Sequence, residues 1–257
     1  MCNLKLIFLM LHFLFKKCSN HEIVEGRIVN GEYSRIRDNA HAVLLHIIRR
    51  DHSAHICGSS VLNQNFLLSA AHCFYELDIV QVIAIAGHED VRKSTVSRIA
   101  SKVTIHEHFQ LQTVENDIAL VSLNGTLPLG ANIKRIVLKK SFPRQAKGIL
   151  AGWGYINDDD GPPSQILKMV KQTVLPRRDC RYLKLRPGML CAGSLIPTES
   201  RPAKGDSGSG LITKRYQIIG ILSYKLNSLP ALPVYTNVTY YYNWIKNLTI
   251  KKHCTIK

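Results

Sequence analysis

The chain has 257 residues, 46% of them apolar and 20% charged, with a formal net charge of +16. That balance excludes a disordered or fibrous chain and leaves room for one two-lobed domain, or two small ones, around a substantial core. The bases are scattered and no recognition motif accompanies them, which argues against nucleic acid as a partner.

Taken from the start, residues 4–15, LKLIFLMLHFLF, form the only strongly apolar run. The run is short for a membrane-spanning helix. A basic start followed by a short apolar stretch reads as a secretory signal peptide, here 1–18, with an uncleaved anchor as the competing reading. Lys16 and Lys17 stand where small residues are wanted before the cut. Next comes EIVEGRIVNG (22–31), two nearly identical tetrapeptide starts on either side of Arg27. AVLLHII (42–48), VQVIAIAG (80–87), DIALVSL (117–123), GILAGWG (148–154) and QIIGILSY (217–224) follow. Each is rich in β-branched residues and bounded by polar or Gly/Pro punctuation, so each predicts a strand. Near the end, Tyr241, Trp244, Ile245 and Leu248 fall at helical spacing. Many short strands and one terminal helix predict an all-β fold of antiparallel barrels or a sandwich.

A secreted chain can pair its cysteines. Of the seven, Cys2 leaves with the signal. Cys57 and Cys73 form one closely spaced couple, and Cys180 and Cys191 another. Cys18 and Cys254 remain, either bridging a propeptide to the C-terminus or leaving Cys254 free. Removing residues 1–27 takes away four bases and two acids, which lowers +16 to +14. Such a field favours polyanions such as glycosaminoglycans, anionic membranes or acidic proteins, against the plainer reading of a soluble basic protein.

Three short motifs gain meaning together. LSAAHC (68–73) puts His72 beside Cys73, which alone suggests packing. NDIALVSL (116–123) puts Asp117 at the mouth of a strand, which alone suggests a turn. KGDSGSG (204–210) flanks Ser207 with Gly205 and Gly208, which alone suggests a linker. A serine hydroxyl is a poor nucleophile at neutral pH. It needs a base within hydrogen-bond reach, and that base needs an orienting carboxylate. The order here is His, Asp, Ser, unlike the orders of α/β-hydrolases and subtilisins.

With RIVNG, CGSSVL, LLSAAHC, NDIAL, GWG, MLCAG, GDSG, GILSY and PVYTNV in sequence, the chain resembles the trypsin/chymotrypsin-like serine proteases across most of its length. The resemblance implies two six-stranded antiparallel β-barrels with the active site between them and a C-terminal helix. It places one protease domain at 28–257. It implies His72 as general base and then acid, Asp117 as the group that fixes its tautomer, and Ser207 as nucleophile. The N–H groups of Gly205 and Ser207 would form the oxyanion hole. Ser223 matches the serine that supports the aspartate. Cys57–Cys73 would staple the loop bearing His72, and Cys180–Cys191 a loop of the second barrel. The double start also finds an answer. A cut after Arg27 by a trypsin-like activating protease would free Ile28, whose amine would pair with Asp206. Residues 19–27 would then be the activation propeptide, since Glu22 before Ile23 is a poor site for the same activator.

The sequence departs from the family around the pocket for the substrate side chain. Ala203 stands where a cysteine is usual, and that cysteine's partner is missing too. Arg201 lies six residues before Ser207, where trypsins carry an aspartate. A guanidinium there repels a basic substrate side chain. The expectation is therefore an endopeptidase without Lys/Arg preference. Arg201 would invite Asp or Glu or swing out to solvent, unless a shifted loop brings Glu199 or Ser200 inward. Tyr224, Lys225 and Pro233 replace the family's Trp, Gly and Gly and narrow the pocket, which makes small residues the alternative preference. The competing reading of the whole chain is a weakly active or inactive homologue acting as a binding protein.

The implied partners are a protein or peptide substrate, the activating protease, a protein inhibitor and, through the charge, a polyanion. A monomer is expected, with no cofactor. Residues 89–98, EDVRKSTVSR, lack the converging oxygens of a calcium loop, and no metal site is expected. His106 and His108 are expected packed or exposed rather than ligating. Asn124, Asn237 and Asn247 head glycosylation sequons, the first and last expected accessible.

Overall fold

The structure, a computed structural model, describes residues 28–143, 146–155 and 162–253. The expected signal peptide, the propeptide with Arg27, and Cys2, Cys18 and Cys254 lie outside the described residues.

Seven strands come from the first half: β1 (Glu32–Tyr33), β2 (Ala42–Arg49), β3 (Ala54–Val61), β4 (Phe66–Ser69), β5 (Ile79–Ala86), β6 (Val96–Ile105) and β7 (Ala119–Leu123). Six of them close into an antiparallel barrel in the order β2-β3-β4-β7-β6-β5. Alternation sets which side chains point inward. In β5, Val82, Ala84 and Ala86 are buried while their neighbours are only half-buried or exposed. In β7 every residue is buried, because the strand is covered on both faces. Leu45, Ile47, Val61, Leu67 and Val121 fill the barrel, while Leu68 and Leu120 are buried on its outer face. Each fully buried side chain of this kind contributes about 1.5–3 kcal/mol.

The second half supplies β8 (Lys147–Gly152), β9 (Lys168–Thr173), β10 (Met189–Cys191), β11 (Gly210–Ile212), β12 (Ile218–Leu226) and β13 (Leu229–Asn237). They form a seven-stranded sheet in the order β1-β9-β8-β11-β12-β13-β10. The expected six strands are present, with β1 added at the edge through its pairing with β9. Closure differs from a continuous ladder. Among the described residues only the Val174–Ala192 bridge joins the end of β9 to the end of β10, supported by Leu175 N–H donating to Cys191 O and Gly193 N–H to Thr173 O. Pro176 explains the short seam: it has no N–H to extend the ladder and instead opens the 3-10 turn Arg177–Leu183.

The helix α1 (Tyr242–His253) follows β13. Ile245 and the preceding Tyr241 are buried against the first barrel, with Trp244 and Leu248 packed beside them. The helix therefore packs on the first barrel and not on the sheet it follows. Among the described residues no helix is long and apolar enough to cross a membrane. Among the described residues two disulfides are formed, Cys57–Cys73 and Cys180–Cys191, each with Cα atoms 6.4 Å apart. The first ties β3 to the turn that carries His72. A cross-link closing a loop of this length stabilises by about 3 kcal/mol.

Candidate active site

His72 sits in the one-turn 3-10 helix Ala71–Cys73, just after β4. Asp117 sits just before β7, the neighbour of β4 in the barrel. Strand pairing thus brings together residues 45 apart in sequence. The Asp117 carboxylate is fully buried and engages His72 twice. Oδ1 accepts the His72 backbone N–H at 2.9 Å, and Oδ2 lies 2.8 Å from ring Nδ1. Ser223 on β12 donates its hydroxyl to Asp117 Oδ2 at 2.5 Å. Burial works to lower the His72 pKa, but the charge and hydrogen bond of Asp117 outweigh it and hold the imidazole above its ordinary 6.5.

Ser207 lies in the turn before β11, between two glycines at φ +85°. That left-handed backbone is open to glycine and strained for other residues, so Gly205 and Gly208 make the sharp turn feasible. The turn docks on the first barrel: Gly58 N–H donates to Ser207 O at 2.7 Å, and Cys73 Sγ is 3.9 Å from the same oxygen. The Ser207 backbone therefore abuts the residue next to His72. Among the described residues the Ser207 hydroxyl makes no hydrogen bond. Hydrogen bonds between a nucleophile and its base are commonly long or absent before substrate is bound. The N–H groups of Gly205 and Ser207 donate to no acceptor among the described residues. Two neighbouring donors left open beside a serine suit a developing oxyanion.

Asp206 is fully buried, its carboxylate accepting N–H groups from Gly154 at 2.8 Å and Ala203 at 2.9 Å. The glycines of GWG are explained by this carboxylate. A Cβ on Gly154 would stand 2.5 Å from Asp206 Cγ, and one on Gly152 would also overlap the carboxylate. Ile28 is buried in the core of the second sheet with Leu150, Leu222 and Tyr235. The phenol of Tyr235 is pushed up by its burial and by the Asp206 charge.

The family model described as Trypsin matches residues 28–245. The chain belongs to the trypsin family. It is 32% identical over 235 residues to Trypsin eta of Drosophila melanogaster, a match covering 86% of this chain and 88% of that one. It is 30% identical over 214 residues to Transmembrane protease serine 11C of Mus musculus, covering 78% of this chain. The chain spans about half the length of that relative, 49%. Among solved structures, the scabies mite inactivated protease paralogue S-D1 superimposes with a TM-score of 0.75 at 25% identity, over 86% of this chain and 97% of that one.

The residues expected to line the pocket for the substrate side chain each have defined contacts. Arg201 is half-buried and directs its guanidinium to Pro197 O at 3.1 Å, while its N–H donates to Val29 O. Glu199 is exposed, and Ser200 donates its hydroxyl to Asn30 O at 2.8 Å, so Ser200 faces the N-terminal segment. Pro233 is buried on β13, its carbonyl accepting Ala192 N–H. Tyr224 packs beside Cys191, Leu232 and Val234. Lys225 reaches across to Pro202 O at 3.1 Å.

Sequence reasoning passed over several supports. Thr236 donates its hydroxyl to Asp117 O at 2.6 Å, and Tyr241 donates to Asn116 Oδ1 at 2.9 Å. Both lie in motifs that had been noted, PVYTNV and the terminal helix, but nothing in either pattern names its distant partner. His106 is packed, stacked on Trp244 with ring centres 5.0 Å apart. Asn124 and Asn247 are exposed, whereas Asn237 is half-buried with its Oδ1 bonded to Thr239.

Proposed function

We propose that the chain is the secreted zymogen of a serine endopeptidase that cuts peptide bonds through Ser207, His72 and Asp117, without preference for Lys or Arg. The observation that carries this reading is the double hold of Asp117 on His72. It leaves Nε2 as the ring nitrogen available to a serine. Ser207 Oγ bonds to the substrate carbonyl carbon as its proton passes to His72. The carbonyl oxygen becomes an oxyanion held by the N–H groups of Gly205 and Ser207. His72 then gives its proton to the leaving amine, and water completes hydrolysis of the acyl group by the same steps. Asp117 stays ionised and stabilises the imidazolium.

The zymogen part of the proposal assigns 1–18 to a signal, 19–27 to a propeptide and Arg27–Ile28 to the activating cut. The buried Ile28 and the buried Asp206 carboxylate support it, because a freed amine in that core needs a carboxylate partner. Two disulfides support an oxidising compartment, and the exposed Asn124 and Asn247 suit glycan attachment there. The positive charges of Arg201 and Lys225, at positions expected to line the pocket, support the exclusion of basic side chains.

The test is labelling with a fluorophosphonate probe after a trypsin-like protease has cut at Arg27. Labelling at Ser207 that vanishes in His72→Ala supports the reading. A folded, correctly cut protein that never labels would sink it and leave the weakly active or inactive binding homologue.

A further inference from the structure

We propose that the face built from Arg37, residues 134–140 and residues 213–217 binds a sulfated polysaccharide. The choice among polyanions rests on the secretion proposed above; the face itself rests on geometry.

Three segments distant in sequence meet there. Residues 132–141 lie in the connection between β7 and β8, and residues 213–216 form the turn between β11 and β12, closed by Tyr216 N–H donating to Thr213 O at 2.8 Å. Val137 bridges Gln217 in parallel, with Val137 N–H donating to Tyr216 O at 2.8 Å and Ile218 N–H to Val137 O at 3.2 Å. Gln217 Nε2 donates to Ser141 O at 3.1 Å and extends this contact along the connection. At the other end Lys134 N–H donates to Ala40 O at 2.8 Å, and Arg37 Nε donates to Asn132 Oδ1 at 3.3 Å. Ile133, Ile136 and Gln217 are buried and hold the segments down.

What these segments leave outside is basic. Residues 134–140 and 213–217 carry Lys134, Arg135, Lys139, Lys140, Lys214 and Arg215 and no acid. All six are exposed, as is Arg37, and none of the seven has an ion pair among the described residues. Asp38, beside Arg37, is the one acid on the three segments. Like charges gathered without partners repel one another, so this face is favourable only when an anion covers it.

The shape of the charge selects the anion. Lys134 to Lys140 spans at most about 20 Å of chain. The 213–217 segment runs about 5 Å to its side at the Val137–Gln217 bridge. The bases therefore form a band, which suits charge repeated along a polymer rather than a single phosphate. Val137 and Phe142 are the exposed apolar side chains beside it, at 39% and 37%, too little for the apolar core of a protein interface or for insertion into a bilayer. Tyr216 commits its ring to His41 and is no platform for stacked bases. A sulfated polysaccharide outside the cell is the polyanion left. Because β11 separates Thr213 from the Ser207 turn, an occupied face leaves the candidate active site open.

The test is calorimetric titration of the full chain with a heparin octasaccharide. K214A/R215A and K139A/K140A should each weaken binding at least tenfold. R178A/R181A, which removes two exposed charges elsewhere, should stay within twofold of the parent. The same octasaccharide stripped of its sulfates should bind at least tenfold more weakly. Equal losses in all three variants would mean that net charge alone is read, and would overturn the face. Tighter binding of polyuridylate RNA or of phosphatidylserine vesicles than of the octasaccharide would overturn the sulfated ligand. Relief of repulsion predicts that K214A/R215A unfolds no earlier than the parent on heating; if it fails to fold, K139A/K140A carries the comparison. If the expressed chain stays inside cells and the octasaccharide still binds through this face, secretion falls and the face stands.

Discussion

Asp117 grips His72 by both backbone and ring, so the imidazole is fixed in position and in tautomer by one buried carboxylate. The two contacts differ in what they do. The backbone bond sets where His72 is. The ring bond decides which nitrogen carries the proton and raises the His72 pKa above 6.5 against the pull of burial. A base must be neutral to accept a proton, so on the proposed mechanism kcat/KM falls as pH drops through a value above 6.5. Asp117→Asn should lower kcat about 10,000-fold. With the charge gone, burial alone acts on His72, and the acid limb of the profile should move below its parent position. A pH profile of residual activity measures both, and a limb that stays in place would contradict the electrostatic account.

Thr236 supports the same aspartate from behind. Its hydroxyl donates to the buried Asp117 carbonyl. Thr236→Val keeps the shape and removes the donor, leaving a buried carbonyl unmatched. The expected cost is about 1–3 kcal/mol. For a domain of this size that lowers Tm by about 2–4 °C per kcal/mol. Thermal unfolding of the two proteins side by side checks it, and an unchanged Tm would mean that the carbonyl finds another partner.

What could be read in the sequence follows from how strongly each element advertises itself. β2, β5, β7, β8 and β12 are apolar runs, and their strands were expected within a few residues of where they lie. β3, AHICGSSV, was not expected, because its buried positions include Ser59 and Ser60. Ser59 tolerates burial only by donating to Val43 O on the next strand, which no local pattern reveals. β13 carries two prolines, usually a mark against a strand, and β1 and β10 are too short to show any period. At the site, His72, Asp117, Ser207 and Ser223 stood out through their motifs. Lys225 was expected to crowd a pocket entrance, but its anchor on Pro202 depends on a bulge and a side-chain reach that sequence spacing does not encode.

The GWG motif yields a steric prediction. Asp206 holds its carboxylate where a Cβ on Gly152 or Gly154 would stand. Gly154→Ala leaves no room for the carboxylate, which must move and loosen its bonds to Gly154 N–H and Ala203 N–H. Overpacking of this kind costs about 1–3 kcal/mol. On the proposed mechanism, moving Asp206 also shifts the adjoining Gly205 and Ser207 donors, so kcat should fall while KM changes less. Gly130→Ala is the control, because a Cβ there meets nothing within 4 Å. If the two alanine variants behave alike in thermal unfolding and activity, the close approach is not what requires glycine at 154.

His41 predicts how the fold responds to acid. Its ring is buried with neither nitrogen hydrogen-bonded, edge-on to Tyr216 at 5.6 Å. Burial alone holds its pKa down to about 3, from the ordinary 6.5. Between those values the unfolded chain takes up a proton at this residue and the folded chain does not. Folding stability from His41 is therefore complete above about pH 6.5 and declines as pH falls toward 3, by up to about 1.4 kcal/mol per unit. His41→Leu keeps an apolar, similarly sized group in the core and removes the titration. Its denaturant midpoint should fall less steeply than the parent's between pH 6.5 and 4, and the two curves should run parallel above pH 7. Parallel curves across the whole range would mean that His41 gains a partner for its charge on acidification and contributes nothing to the acid limit of the fold.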